Sequence, residues 1–318
     1  MKTASSVFKT FMLAAALLIL GLGQSSAAEN LKPFILAYTT TADMGAVVAK
    51  IKKKLTAGGF DIVGSYAPYT NAKFPNGELV SAEIIGVTDD AIQQAAAQTK
   101  FGGFAAVQRV TVTKIVKNGT TQIQVAYTNP VYMANAYRLK SDMAGVATQF
   151  QKALGDEQQY GPANGLSPSD LRDYQYKWLM PYFDDRWDLA KYGSYQEALA
   201  AVNAGLAAHK GGVSKVYEAA IPGEDVTLFG VALAGPKNNA CSGDEYVMSR
   251  IDFKDLKSTG HLPYGILVRG NHIYALRAKF RIAINFPDLS MMGSNSFLSI
   301  MCAPGSIEKA LTAAVGNS

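Results

Sequence analysis

A chain of 318 residues with a net charge of +5 and 17% charged side chains carries no charge excess of the size a nucleic-acid surface needs. Beyond the first two dozen residues it also has no apolar run long enough to cross a bilayer. About 290 residues remain after those, which suits two domains of ordinary size.

At the start, Lys2 and Lys9 precede an almost wholly apolar stretch from Phe11 to Leu22, and Ser26-Ala27-Ala28 supplies small residues before Glu29. About twelve apolar residues make roughly 18 Å of helix against a hydrocarbon core of ~30 Å, so the pattern reads as a secretory signal peptide over 1–28 rather than an anchor. No Cys stands near the expected cleavage site, which disfavours a lipid anchor. Removing 1–28 takes away two lysines and no acid, leaving +3 from +5. The expected location is periplasmic or secreted, with no integral membrane span after cleavage.

The next element is an apolar strand from Phe34, followed by a helix over about Asp43–Thr56 with Val48, Ile51 and Leu55 on one face. Lys50, Lys52, Lys53 and Lys54 occupy the other face, a solvated helix surface rather than a binding patch. Gly58-Gly59 stops the helix and Phe60-Asp61-Ile62-Val63 begins a strand. A β-rich run with an internal glycine, Ala82 to Val87 around Gly86, leads to a second helical stretch. Strands over Ala105–Val116 and Thr120–Tyr127 flank Asn118-Gly119, which has hairpin chemistry and also sits in an Asn-Gly-Thr sequon. Asn129-Pro130-Val131-Tyr132-Met133 follows, and a helix over about Asp142–Leu154 closes the series.

The second half repeats this punctuation. Trp187-Asp-Leu-Ala precedes a helix over about Tyr195–His209, then come Gly211-Gly212, a run with internal Gly230, and strands over Gly265–Arg269 and Ile273–Ile284 around Gly270-Asn271. Pro287-Asp288-Leu289-Ser290-Met291 and a helix over about Ser306–Val315 end the chain. The expected fold is α+β: two similar domains, 32–155 and 187–318, each a mostly antiparallel sheet with helices packed on it, in the order β-α-β-β-α-β-β-α. Pro130 is expected to match Pro287, and Met133 to match Met291.

The ordered set Gly59-Phe60, Ile84-Ile85-Gly86-Val87-Thr88 and Asn129-Pro130-x-x-Met133 resembles the bacterial family catalogued as domain of unknown function 302. The second copy is more diverged, retaining Gly230 and Pro287-Asp288-Leu289-Ser290-Met291. The resemblance implies the fold of that family and no assigned activity. Its members often carry Cys two residues after the strand glycine; Thr88 and Ala232 stand at those places here.

Between the halves, 156–186 is an arm with a Ser167-Pro168 helix start expected to run to about Met180. Its aromatic density makes Tyr174, Trp178, Tyr182 and Trp187 candidate ligand-binding residues, joined by Met133 and Met291. Rings buried where the arm crosses both domains account for the same composition. Asp184, Asp185 and Asp188 surround Arg186 and read as a charge-mixed turn. Cys241 and Cys302 form an even pair in an exported chain, expected as a disulfide.

The sequence contains no G-x-S-x-G, H-E-x-x-H, C-x-x-C or phosphate loop outside the leader, so no catalytic residue, metal or cofactor is assigned. The expectation is a non-catalytic exported protein that binds a small molecule or an envelope protein between its two domains. A hydrolase-like enzyme with scattered residues and a structural envelope component are the alternatives.

Overall fold

The computed structural model describes residues 30–316, so the expected signal peptide lies outside the described residues. In chain order the main elements are β1 (Phe34–Thr40), α1 (Met44–Ala57), β2 (Asp61–Tyr66), β3 (Ala72–Phe74), β4 (Glu78–Thr88), α2 (Asp90–Ala97), β5 (Gln108–Lys117), β6 (Thr120–Thr128), α3 (Pro130–Ala136), α4 (Ala144–Leu154) and β7 (Gln158–Tyr160). Then follow α5 (Pro168–Arg172), β8 (Trp187–Lys191), α6 (Tyr195–Ala207), β9 (Val213–Ala220), β10 (Val226–Leu233), α7 (Asp244–Ile251), β11 (Tyr264–Arg269), β12 (His272–Ala275), α8 (Ala278–Asn285) and α9 (Ala303–Val315). The fold is mixed α+β, with two antiparallel sheets covered by helices.

Both sheets have the same strand order. The first runs β2-β4-β5-β6-β1-β7, with β3 paired to β4, and the second runs β8-β12-β11-β10-β9. Read from the edge strand inward, β2-β4-β5-β6-β1 and β9-β10-β11-β12-β8 take their strands in the same sequence. β7, drawn from the expected arm, extends the first sheet by pairing Tyr160 with Phe34 and Gln158 with Leu36.

Local signals behave as physics requires at the helix starts. Asp43 accepts from Ala46 N–H, Ser194 from Glu197 N–H and Ser167 from Asp170 N–H, satisfying donors that a helix start leaves free. Asn118 and Gly119 take φ of +50° and +77° at the first hairpin. The double glycines act differently: after α1 only Gly59 of its pair is left-handed, whereas after α6 His209, Gly211 and Gly212 all take positive φ.

Two expectations are corrected. Residues 278–285, expected as the end of a long strand, form helix α8, buried except at Lys279; the alternation of Ala278, Phe280, Ile282 and Ile284 with Lys279 and Arg281 imitates a strand, while burial on nearly every side lets the segment be a helix. Each half thus carries one more helix than expected, α3 and α8. The match of Pro130 to Pro287 fails with it: Pro130 opens α3 directly after β6, whereas Pro287 follows α8.

One large apolar core runs through both halves, and Phe34, Leu36, Ala126 and Tyr160 form a small separate cluster on the first sheet. One face of the first sheet is covered by α1 and α4, where Phe150 stacks on Phe60 and Tyr127 at 4.3 and 5.0 Å. The second sheet receives α6 and α9, which cross so closely that a Cβ on Gly205 would stand 1.8 Å from the Ala314 carbonyl oxygen.

The remaining faces are covered reciprocally. The one-turn segment Gly102–Ala105, between α2 and β5, lies on the second sheet with Gly103 against Val226 and Leu267. Its counterpart Thr259–His261, between α7 and β11, lies on the first sheet, with Gly260 against Phe34 and Thr128. At the meeting of the edge strands, the ring of Tyr217 from β9 fills the space left by Gly86 and Gly230. A Cβ would stand 2.7 Å from that ring at Gly86 and 2.2 Å at Gly230.

Candidate functional site

The first sheet turns a polar face toward the stretch 252–263, and this is where most buried charge resides. Lys257, fully buried, donates to Glu78 at 2.5 Å and to the carbonyl of Lys254 at 2.7 Å. Gln124 donates to the Asp255 carbonyl at 2.7 Å and accepts from the Lys257 N–H at 3.0 Å. Thr113 and Thr259 share a hydrogen bond of 2.9 Å, and Arg109 donates to the Gly260 carbonyl at 2.7 Å. Burial without a full partner set pushes two carboxyls, Asp244 and Asp252, up to about 7. Tyr66 and the Leu233 N–H oppose that shift at Asp244, while Lys257 opposes it at Asp252. Burial, with Arg281 and Arg109 nearby, holds His261 well below the usual imidazole range. These groups lie in packed interior and join the halves, and the cavity that Asp252 borders holds only about 20 Å³.

The arm makes the accessible cavity. α5 ends at Arg172 rather than near Met180, because the following tyrosines are drawn onto the second half. Tyr174 donates to the Ala283 carbonyl at 3.0 Å and Tyr176 donates to that of Leu289. Phe183 then wedges between the halves, stacking on Tyr137 at 5.6 Å and tilting against Phe280 at 6.0 Å.

Beneath this turn lies an open cavity of about 540 Å³. Its walls are Leu179, Met180, Pro181, Tyr182 and Trp187 on one side and Arg277, Lys279, Glu308 and the first turn of α9 on the other. The Cys241–Cys302 disulfide, with Cα atoms 5.9 Å apart, ties the chain just before α9 and so fixes that wall. Arg277 donates to the Asp185 carbonyl at 2.8 Å. The Trp187 indole N–H is buried and without a hydrogen-bond partner among the described residues. The arrangement offers an apolar, aromatic surface beside charges of both signs, a combination that can hold a small amphiphile.

The sequence candidates therefore scatter. Tyr182 and Trp187 line this cavity, while Tyr174 lines a neighbouring one of about 650 Å³ with Asp173, Lys177 and Asp288. Trp178 is 84% exposed and lines neither. Met133 is core in α3 and Met291 stands half-exposed in the loop after α8, so the expected pairing of the two methionines is corrected. Neither cavity takes a residue from 32–155, because the space between the halves is filled by Tyr217, Phe183 and the two one-turn segments. Arg277, Lys279 and Glu308 were missed by the sequence reading, since isolated surface charges carry no motif.

The three clustered carboxylates each have a separate partner: Asp184 pairs with Arg138, Asp185 accepts from the Tyr182 N–H, and Asp188, in β8, hydrogen-bonds His272 Nδ1 at 2.9 Å. Among the described residues no three His, Cys, Asp or Glu side chains gather as a metal site. No helix among them is long and apolar enough to cross a membrane.

No family model matches the chain, and no curated protein matches it. Among solved structures it is similar to an uncharacterized conserved protein of domain of unknown function 302 from Bacillus stearothermophilus. Identity is 16%, the TM-score is 0.30, and the match covers 37% of this chain and 94% of that one. Likeness of that degree assigns no residue a role.

Proposed function

We propose that this protein is exported to the periplasm or beyond, arose by duplication of one α+β unit, and binds a small molecule without catalysing a reaction on it. The observation that carries the binding reading is the 540 Å³ cavity under the arm, where Tyr182 and Trp187 face Arg277, Lys279 and Glu308. Its size falls in the ordinary range for small-ligand sites, about 300–1,000 Å³. Its lining favours a ligand with a flat or apolar body and a polar, charged head. Export is supported by the leader pattern of 1–28, and duplication by the common strand order of the two sheets.

Native mass spectrometry of protein purified from its own host's envelope tests this reading. The expected result is a small molecule that leaves on denaturation and is absent from Lys279→Glu and Trp187→Phe protein. Adding it back at about 100 times its Kd raises stability by roughly 2.7 kcal/mol. Folded protein that carries no small molecule, or one retained fully by both variants, overturns the proposal.

A further inference from the structure

Eight large hydrophobic side chains are exposed among the described residues, and all but Leu79 belong to two short segments. Trp178, Leu179 and Tyr182 stand on the arm, and Met291, Met292, Leu298 and Met301 on the loop between α8 and α9. The segments abut. Tyr176 lies 4.9 Å from Phe297, ring to ring, and Leu179 shares the cavity wall with Pro304 and Gly305. Apolar side chains scattered singly over a surface mean little, but this concentration leaves one region of the molecule uncovered.

The region is also depleted in charge. From Leu289 to Ile307 the sequence contains no Asp, Glu, Lys or Arg, and from Tyr176 to Phe183 only Lys177. Depletion of charge with enrichment in Trp, Tyr and Met is the composition of an interface centre, and it is most pronounced where identical chains meet. Taking about 200 Å² for each fully exposed large side chain, the seven residues present roughly 900 Å², matching the ~800 Å² that each partner contributes to a stable interface.

We propose that this face joins two copies of the chain in a symmetric homodimer. Charge selects the second copy over a bilayer surface. The two cavities bordering the patch carry three cations, Lys177, Arg277 and Lys279, against five carboxylates. That border repels anionic lipid, whereas across a twofold axis its opposite signs can pair. Trp178, at 84% exposure, is the side chain with the most surface to bury and supplies the anchor. The dimer does not depend on the cavity holding a ligand.

The test is the mass in solution of the exported chain over about 1–100 μM, by sedimentation and light scattering. Wild type is expected at twice the chain mass, Trp178→Glu/Met292→Glu at the chain mass with the circular dichroism spectrum of the folded protein and a cooperative melt, and Leu79→Glu, outside the patch, at twice the mass. Hydrogen exchange on unaltered protein gives a second reading: amides of 176–182 and 289–302 are expected to gain protection as concentration rises. Wild type at the chain mass throughout, a dimer that survives the double substitution, or protection that ignores concentration overturns the proposal. Monomer that sediments with anionic vesicles and is released by the double substitution also overturns it, in favour of a lipid surface.

Discussion

β2 and β9 hold the same edge position in their respective sheets, yet they approach each other with opposite side chains. Gly64 pairs with Gly86 in the first sheet, and Tyr217 pairs with Gly230 in the second. A Cβ on Gly64 would stand 2.2 Å from the Val216 carbonyl oxygen, so the first edge supplies space and the second fills it. Two like surfaces pressed together cannot both carry the large residue. The halves share a strand order, but at their contact they are complementary rather than equivalent.

The most severe way to break that complementarity is to empty it. Tyr217→Ala leaves a cavity against both strand glycines and is expected to cost about 4 kcal/mol in denaturant unfolding. Lys257→Ala, which leaves buried Glu78 with only the half-exposed Lys117 at 3.1 Å as an ion-pair partner, is expected to cost about 3 kcal/mol. Replacing Glu78 and Lys257 together with apolar residues should recover most of that loss, and a double-mutant cycle measures the recovery. Gly64→Ala comes next, at about 3 kcal/mol, because the listener across the contact is backbone and cannot swing aside.

The titrating groups sharpen the same contrast, since Asp244 and Asp252 both belong to the second half. Their folded-state values near 7 lie above the ordinary carboxyl range, so the folded protein holds more protons than the unfolded chain between about pH 4 and 7. Stability therefore falls as pH rises through that window, by about 2 kcal/mol per carboxyl from pH 5 to 8, and Asp244→Asn should flatten the dependence seen in thermal melts. The smallest effects are at the helix starts. Asp43→Ala and Ser194→Ala, at equivalent caps, should each cost about 1 kcal/mol, a near equality that fails if the two helices carry different loads.

Much of the architecture was legible because it is written in local chemistry. Asp43, Ser167 and Ser194 marked helix starts, Asn118-Gly119 marked a hairpin, and the glycines at 86 and 230 marked matching strands in the two halves, each of which Tyr217 approaches closely. What approaches them was not legible, since Tyr217 looks like any strand tyrosine until the sheets are brought together. The same holds for Lys257 and Glu78, 179 residues apart, each of which reads as a surface charge in its own neighbourhood. α8 was lost for a different reason: Ala278, Phe280, Ile282 and Ile284 alternate with Lys279 and Arg281, a strand-like period of two, and burial of Arg281 hides the polar side that would mark a helix. At the cavity, the aromatic wall was visible in composition and the charged wall was not, because Arg277, Lys279 and Glu308 come from two elements that meet only in the folded chain.

The exchange of one-turn segments also sets an order of events. Chains emerge amino end first, and domains generally fold as units in that order. The first sheet has all its strands by Tyr160, yet the residues that satisfy Glu78, Gln124, Thr113 and Arg109 lie at 255–260. For about a hundred residues of further synthesis that sheet waits with one polar face wet and unfinished. Completion of the earlier half is thus timed by the later one, and a chain interrupted before Lys257 yields no finished smaller protein.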